Sequence, residues 1–171
     1  MKRTLFAGCT LVAVGFGIGM LVAGRGVTGR ASAAEASLQR QVDLFHIEQI
    51  EQKFHKATST HNLKLMMSLW APGAVFNVGD RTLTGKPEIR RWFASQNAAF
   101  QPGNNWESDT PSYKIRATVN GDKGTLYFEC HYIDPKTEMV VHFVAVQHQV
   151  QKIHGKWLLT NSSATPAVLA P

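Results

Sequence analysis

Between residues 44 and 61 the apolar positions recur every three or four residues. Ile47, Ile50, Phe54, Ala57, Thr58 and His61 share one face, while Glu48, Glu51, Gln52 and Lys56 fall elsewhere. The spacing predicts a first helix over Leu44–His61, with Asp43 as its N-cap and Asn62 as a left-handed stop. His46 and His55 project off the stripe and are expected in solvent. Leu63–Trp70, dense in large apolar side chains, reads as a short second helix broken by Ala71-Pro72-Gly73. Ala74–Val78 then forms a short strand, and Asp80–Gly85 turns into a third helix with Pro87 in its first turn. Ile89, Trp92, Phe93, Gln96 and Phe100 lie along it at core spacing.

Past Phe100 the periodicity changes. Gln101–Pro111 is a polar loop, followed by strands at Ser112–Asn120, Thr125–Asp134, Met139–Ile153 and Lys156 to about Ser163. Asn120-Gly121-Asp122, Pro135-Lys136-Thr137 and His154-Gly155 carry turn chemistry. Helices first and a meander afterwards predict an α+β fold with helices on one face of an antiparallel sheet. A strand as long as Met139–Ile153 must twist or bend, so the sheet is expected to curve around the helices. Alternation along that strand turns His142, Val144, Val146, His148 and Val150 inward and Gln147, Gln149 and Gln151 outward. The Pro135–Thr137 turn would pair Cys130 with His142 and Phe128 with Val144, placing Leu126, Phe128, Cys130 and Tyr132 inward. A one-residue slip would turn Glu129 and His131 inward instead.

Composition matters mainly through its distribution. The 171 residues are 44% apolar and 18% charged, with a formal charge of +6. Residues 1–34 hold Lys2, Arg3, Arg25 and Arg30 and no acid, leaving 14 basic and 12 acidic side chains, a net of +2, in the other 137 residues. The basicity belongs to the leader, and nucleic acid is not an expected partner. Met1-Lys2-Arg3, the uncharged run Leu5–Val22 and the small residues Ala31-Ser32-Ala33-Ala34 have the form of an export signal cut after Ala33 or Ala34. An uncleaved membrane anchor is the rival reading. The mature protein would then be exported, with residues 35–43 a loose lead-in, 44–163 the folded domain and 164–171 a tail. Cys9 would leave with the leader, and Cys130 alone allows no intrachain disulfide. No zinc-ligand spacing is present, and no metal or cofactor is expected.

The order of these elements resembles the nuclear-transport-factor-2-like cone, in its SnoaL-like (polyketide-cyclase-like) branch. The stretches that carry the likeness are Leu69-Trp70-Ala71-Pro72-Gly73-Ala74-Val75-Phe76, Leu83-Thr84-Gly85-Lys86-Pro87-Glu88-Ile89 with Trp92-Phe93, Val119-Asn120-Gly121-Asp122-Lys123-Gly124-Thr125, and His154-Gly155-Lys156-Trp157. The resemblance covers nearly all of residues 44–163. It implies three N-terminal helices packed in a curved antiparallel sheet, a deep apolar cavity for a small hydrophobic ligand, and a homodimer through the outward sheet face. The family hosts isomerases, dehydratases, cyclases, hydrolases and inert binding subunits alike, so the fold does not choose a reaction.

Against that family pattern, His148 stands where a carboxylate often acts on the ligand, seven residues before the closing Gly-x-Trp turn of the likeness. Histidine can move protons near neutral pH, which makes His148 the candidate general base or acid. A neutral histidine hydrogen-bonded inside the barrel is the bland alternative. Gly73 occupies the place of another common acid, so neither carboxylate is present. His142 lies roughly 20 Å from His148 along an extended strand, at ~3.3 Å per residue, and with Cys130 reads as mouth lining. Tyr132 and Asn77 are candidates to orient a ligand oxygen. His61 could reach the cavity from its helix end or simply meet the last carbonyls. Trp70, Trp92 and Phe93 are core or cavity wall, with Trp92 the candidate ligand contact, and Trp106 is a lid, an oligomer contact or exposed. Two functions stay open: a non-catalytic exported module that binds a small hydrophobic ligand or serves as an envelope scaffold, and a cofactor-free isomerase, dehydratase or cyclase.

Overall fold

The computed structural model describes residues 24–166. Most of the proposed leader, with Cys9 and the Leu5–Val22 run, and the last five residues of the proposed tail lie outside them. The chain divides between Ala36 and Ser37 into two units, of which Ser37–Pro171 is the larger and compact one. No described helix is long and apolar enough to cross a membrane.

Helix α1 spans Gly24–Ser59, so residues 35–43, expected as a loose lead-in, are helical. Ile47, Ile50, Phe54 and Ala57 are buried on the predicted stripe. Asp43 is not an N-cap. It sits inside the helix, buried, and accepts hydrogen bonds from Lys152 Nζ at 2.7 Å and Trp157 Nε1 at 3.0 Å. Burial pushes its pKa up, but the hydrogen bonds from Lys152, Trp157 and Gln39 outweigh that and hold it below its ordinary value. The left-handed residue after α1 is His61, at φ 50°. Asn62 instead caps α2 (Leu63–Ser68), its side chain accepting from Leu65 N–H.

Trp70 opens a strand rather than closing a helix. Strand β1 runs Trp70–Val78, and β2 (Arg81–Thr84) pairs back onto it through the turn expected to lead straight into a helix. Helix α3 (Lys86–Ser95) starts with Pro87 in its first turn. It stops before Phe100, which belongs to a short 3-10 turn, Ala98–Phe100. The polar loop contains β3 (Glu107–Asp109), and β4 (Arg116–Asn120), β5 (Lys123–Asp134), β6 (Met139–Ile153) and β7 (Lys156–Pro166) complete the meander.

The seven strands form one sheet in the order β2-β1-β7-β6-β5-β3, with β4 also on β5. It is mixed, not wholly antiparallel: β1 and β7 run parallel. Hairpin turns impose antiparallel pairing on neighbours in sequence, but β1 and β7 are separated by α3 and five other strands, so no turn sets their direction. The helices pack against the sheet, which curves and remains unclosed, giving the expected α+β cone. Its core joins Ile47 and Phe54 of α1 to Phe93 of α3 and to Leu126, Phe128 and Val146 of the sheet.

On the long hairpin Cys130 faces Val144, Phe128 faces Val146 and Leu126 faces His148. The register is displaced by two residues from the expected pairing. The turn is longer, with Glu138 at φ 56°, and a bulge lies between Tyr132 and Ile133. An even displacement keeps every side chain on its predicted face. Leu126, Phe128, Cys130 and Tyr132 are buried inward, and Glu129 and His131 lie on the opposite face.

Candidate apolar cavity and its buried histidine

The inward side chains do not fill the cone. A cavity of about 330 Å³ remains between α3, β1 and the upper halves of β5 and β6. Phe76 and Trp92 meet edge to face at 5.3 Å, and Phe76 stacks on Phe93 at 6.0 Å, forming one wall. Tyr132 forms the other, with His142 stacked on it at 5.8 Å and Trp106 at 5.7 Å. Trp106 is therefore part of the cavity wall, brought there by the β3 segment. Of the sequence candidates, Trp92, Cys130, Tyr132 and His142 line this space.

Burial pushes the Cys130 thiol strongly up, opposed by the Tyr132 hydrogen bond, so it stays protonated. Its ladder partner is Val144, not His142. Burial also raises the Tyr132 hydroxyl well above its ordinary value. At neutral pH both are neutral polar groups in an apolar wall.

Three candidates lie elsewhere. Asn77 accepts from the hydroxyl of Thr82, its partner across the β1–β2 ladder, at 2.8 Å, and does not face the cavity. His61 is exposed and lies 6.4 Å, ring to ring, from Phe100. His148 is 1% exposed and is not a lining residue. It occupies the inward position after Val146, roughly 6.6 Å further along the strand, among the rings of Phe54, Phe128 and Trp70. Its Nδ1 is 2.6 Å from Ser162 Oγ, and Nε2 has no partner. Burial lowers its pKa from 6.5 to about 3, so the imidazole is neutral.

A second buried histidine was not anticipated. His55, expected in solvent, is 5% exposed. Its Nδ1 lies 2.7 Å from Ser108 Oγ, and its Nε2 lies 2.6 Å from Thr110 Oγ1 and 3.2 Å from Glu51 Oε1. The Thr110 hydroxyl gives its proton to the Glu129 carbonyl at 2.7 Å, so it accepts from His55, which places a proton on Nε2. Glu51 and His55 are one helical turn apart, and that spacing was the signal available in the sequence. The hydroxyls that make the site polar come from residues more than fifty positions away. On the outward face Glu129 accepts from Lys114 at 2.9 Å and Tyr127 at 3.0 Å, with His131 at 3.2 Å. Burial raises the Glu129 carboxyl, but these bonds prevail and hold it below its ordinary value. Among the described residues no group of three or more His, Cys, Asp or Glu is placed to hold a metal ion.

The comparisons agree with this architecture. A nuclear-transport-factor-2-like protein with a cystatin-like fold from Novosphingobium aromaticivorans superposes with a TM-score of 0.67 over 86% of this chain and 94% of its own, at 13% identity. A cystatin-like protein of unknown function from Nostoc punctiforme gives 0.65 over 76% and 95%, at 18% identity. The hexachlorocyclohexane dehydrochlorinase of Novosphingobium barchaimii gives 0.64 over 79% and 93%, at 12% identity. At these identities the likeness is one of fold. No match to the sequence was found among curated proteins. The family model described as SnoaL-like domain matches residues 52–158, from the last two turns of α1 to the start of β7. The chain belongs to the SnoaL-like domain family.

Proposed function

We propose that this protein binds a small, neutral, ring-bearing hydrophobic molecule in its cone. The observation that carries the reading is the open cavity of about 330 Å³, walled by Phe76, Trp92, Phe93, Trp106 and Tyr132. A scaffold would gain stability by filling that space, since close packing is the rule inside proteins. A space of this size suits a ligand of one or two fused rings. The acid–base reading, with His148 as general base, has less support. A histidine whose pKa is about 3 is a weak base at neutral pH, and no carboxylate lines the cavity beside it.

Export through residues 1–34 and a homodimer through the outward face of β6 complete the reading. Export draws on the charge and small-residue pattern of the leader. The dimer draws on the exposed, uncharged Gln147 and Gln149 and on the family likeness. N-terminal sequencing of the secreted protein and sedimentation velocity test these two points. A chain retained at residue 1 in the membrane fraction, or a monomer at all concentrations, removes the corresponding part.

The binding reading is tested by thermal melts of the wild type and of Val144→Trp with naphthalene. Ligand at a hundred times its Kd adds ~2.7 kcal/mol, a rise of several degrees. The wild type is expected to shift and the blocked variant to stay put. Equal shifts, or none in a folded wild type, overturn the assignment of this cavity.

A further inference from the structure

Two buried polar side-chain atoms of the described core have no hydrogen-bond partner, Trp70 Nε1 and His148 Nε2, and they belong to neighbouring rings. Both residues are essentially inaccessible. Their rings meet edge to face at 83°, with centroids 6.3 Å apart. Buried polar atoms are almost always paired, and a lone unpaired one is costly, so two orphans on neighbouring rings mark a place where one further polar group would be stabilised.

The cavity lies one ring away. Phe54 and Phe93 both line it. Phe54 also touches His148, at 6.1 Å between ring centroids, and Phe93 touches Trp70 at 6.2 Å. Phe54 and Phe93 are themselves 6.2 Å apart. Displacing the Phe54 ring would open a path from the cavity to Trp70 and His148.

The chemistry of the two atoms selects the group. Trp70 Nε1–H can only donate. The contact between His148 Nδ1 and Ser162 Oγ lets either atom donate, so Nε2 is an acceptor in one tautomer and a donor in the other. A hydroxyl meets both rings in either case, its oxygen accepting from Trp70 and either giving its own proton to His148 or accepting a second one. A hydrocarbon meets neither, and a carbonyl or ether meets both only when Nε2 bears the proton. A carboxylate or phenolate would have to surrender its hydration with no cationic side chain beside it.

We propose that Trp70 and His148 form a hydroxyl-binding subsite at the base of the cavity, opened by movement of the Phe54 ring. The ligand class is then a neutral aromatic or polycyclic alcohol or phenol. The inference rests on the binding reading above and narrows it.

Isothermal titration calorimetry of the full-length chain at pH 7 with naphthalene and 2-naphthol tests it, in wild type, Phe54→Ala, Trp70→Phe and His148→Phe. A wholly apolar floor would favour the hydrocarbon, because naphthol would lose hydration without recompense. The subsite reverses that order: 2-naphthol is expected to bind about 5- to 10-fold more tightly than naphthalene, the effect of one net hydrogen bond. The preference should grow in Phe54→Ala and vanish in Trp70→Phe and His148→Phe while naphthalene affinity persists. Should His148→Phe fail to fold, the milder Trp70→Phe carries the same comparison. Naphthalene binding without a naphthol preference, or a preference that survives loss of Trp70, overturns the subsite and leaves the binding reading standing. Failure of both ligands to bind the folded wild type overturns both.

Discussion

His148 and His55 show how little a histidine's place along a strand or helix says about its state. Alternation puts His148 inward, and it is inward. Its neutrality comes from the rings of Phe54, Phe128 and Trp70, which three other elements supply. The consequence is a pH dependence of stability. The folded pKa is lowered from 6.5 to about 3, so the unfolded chain binds the proton more readily. The stabilisation is complete above pH 6.5 and is lost as pH falls toward 3, at about 1.4 kcal/mol per pH unit for one proton. Urea unfolding between pH 7 and 4.5 should show this slope, and His148→Phe should lack it. At lower pH Asp43 and Glu129, both held below their ordinary values of 3.8 and 4.5, lose their contributions in the same direction. His55 was legible only as a polar residue off the apolar stripe, because Ser108 and Thr110 reach it through tertiary packing. Removing the imidazole strands Glu51, Ser108 and Thr110 away from water. His55→Ala is therefore expected to cost about 2–4 kcal/mol in denaturant unfolding.

At the scale of elements, periodicity located helices and long strands well and short pieces poorly. Strand β6 has the predicted bounds because fifteen residues of alternation outweigh any local ambiguity. Strands β2 and β3, four and three residues long, give no period to detect, and they exist because β1 and β5 offer edges to pair with. The β5–β6 register missed by two, one residue from the longer turn and one from the bulge, because a bulge is a compromise between strands and leaves no composition mark. Gly124 is a position where backbone proximity dictates the residue. A Cβ there would sit 2.3 Å from the Thr118 carbonyl oxygen on β4 and 3.1 Å from Ile47 of α1. Gly124→Ala must push β4 off β5, and a loss of about 2 kcal/mol or more is expected by thermal or urea unfolding. A loss below about 0.5 kcal/mol would mean that β4 yields freely, against its five paired residues.

For the molecule as a whole, the function proposed is a property of assembled walls. Trp106 sits in a loop that reads as polar, yet it closes the cavity against Tyr132. It is only half-buried, so Trp106→Ala is expected to weaken naphthalene binding about 10-fold while changing unfolding stability by less than about 1.5 kcal/mol. Calorimetry and urea titration on the same samples would separate the two effects. Unchanged affinity would place the ligand elsewhere. Asn77 and His61 illustrate the opposite outcome: Asn77 alternates between the lining residues Phe76 and Val78 and so faces away from the cavity, and His61 is exposed in the turn after α1.

The hydrophobic periods by themselves determined that helices dominate the first part of the chain and long strands the second, which faces of β5 and β6 turn inward, and that Cys130, Tyr132 and His142 lie on those faces. These follow from local repeats of 3.6 and 2, which every residue carries with it. The tertiary structure alone decided the parallel β1–β7 pairing, the burial of Asp43, Glu51 and His55, the open cavity, and the sealing of His148 beneath Phe54. Each of those depends on distances between residues far apart in the chain, and a distance of that kind has no period to be read.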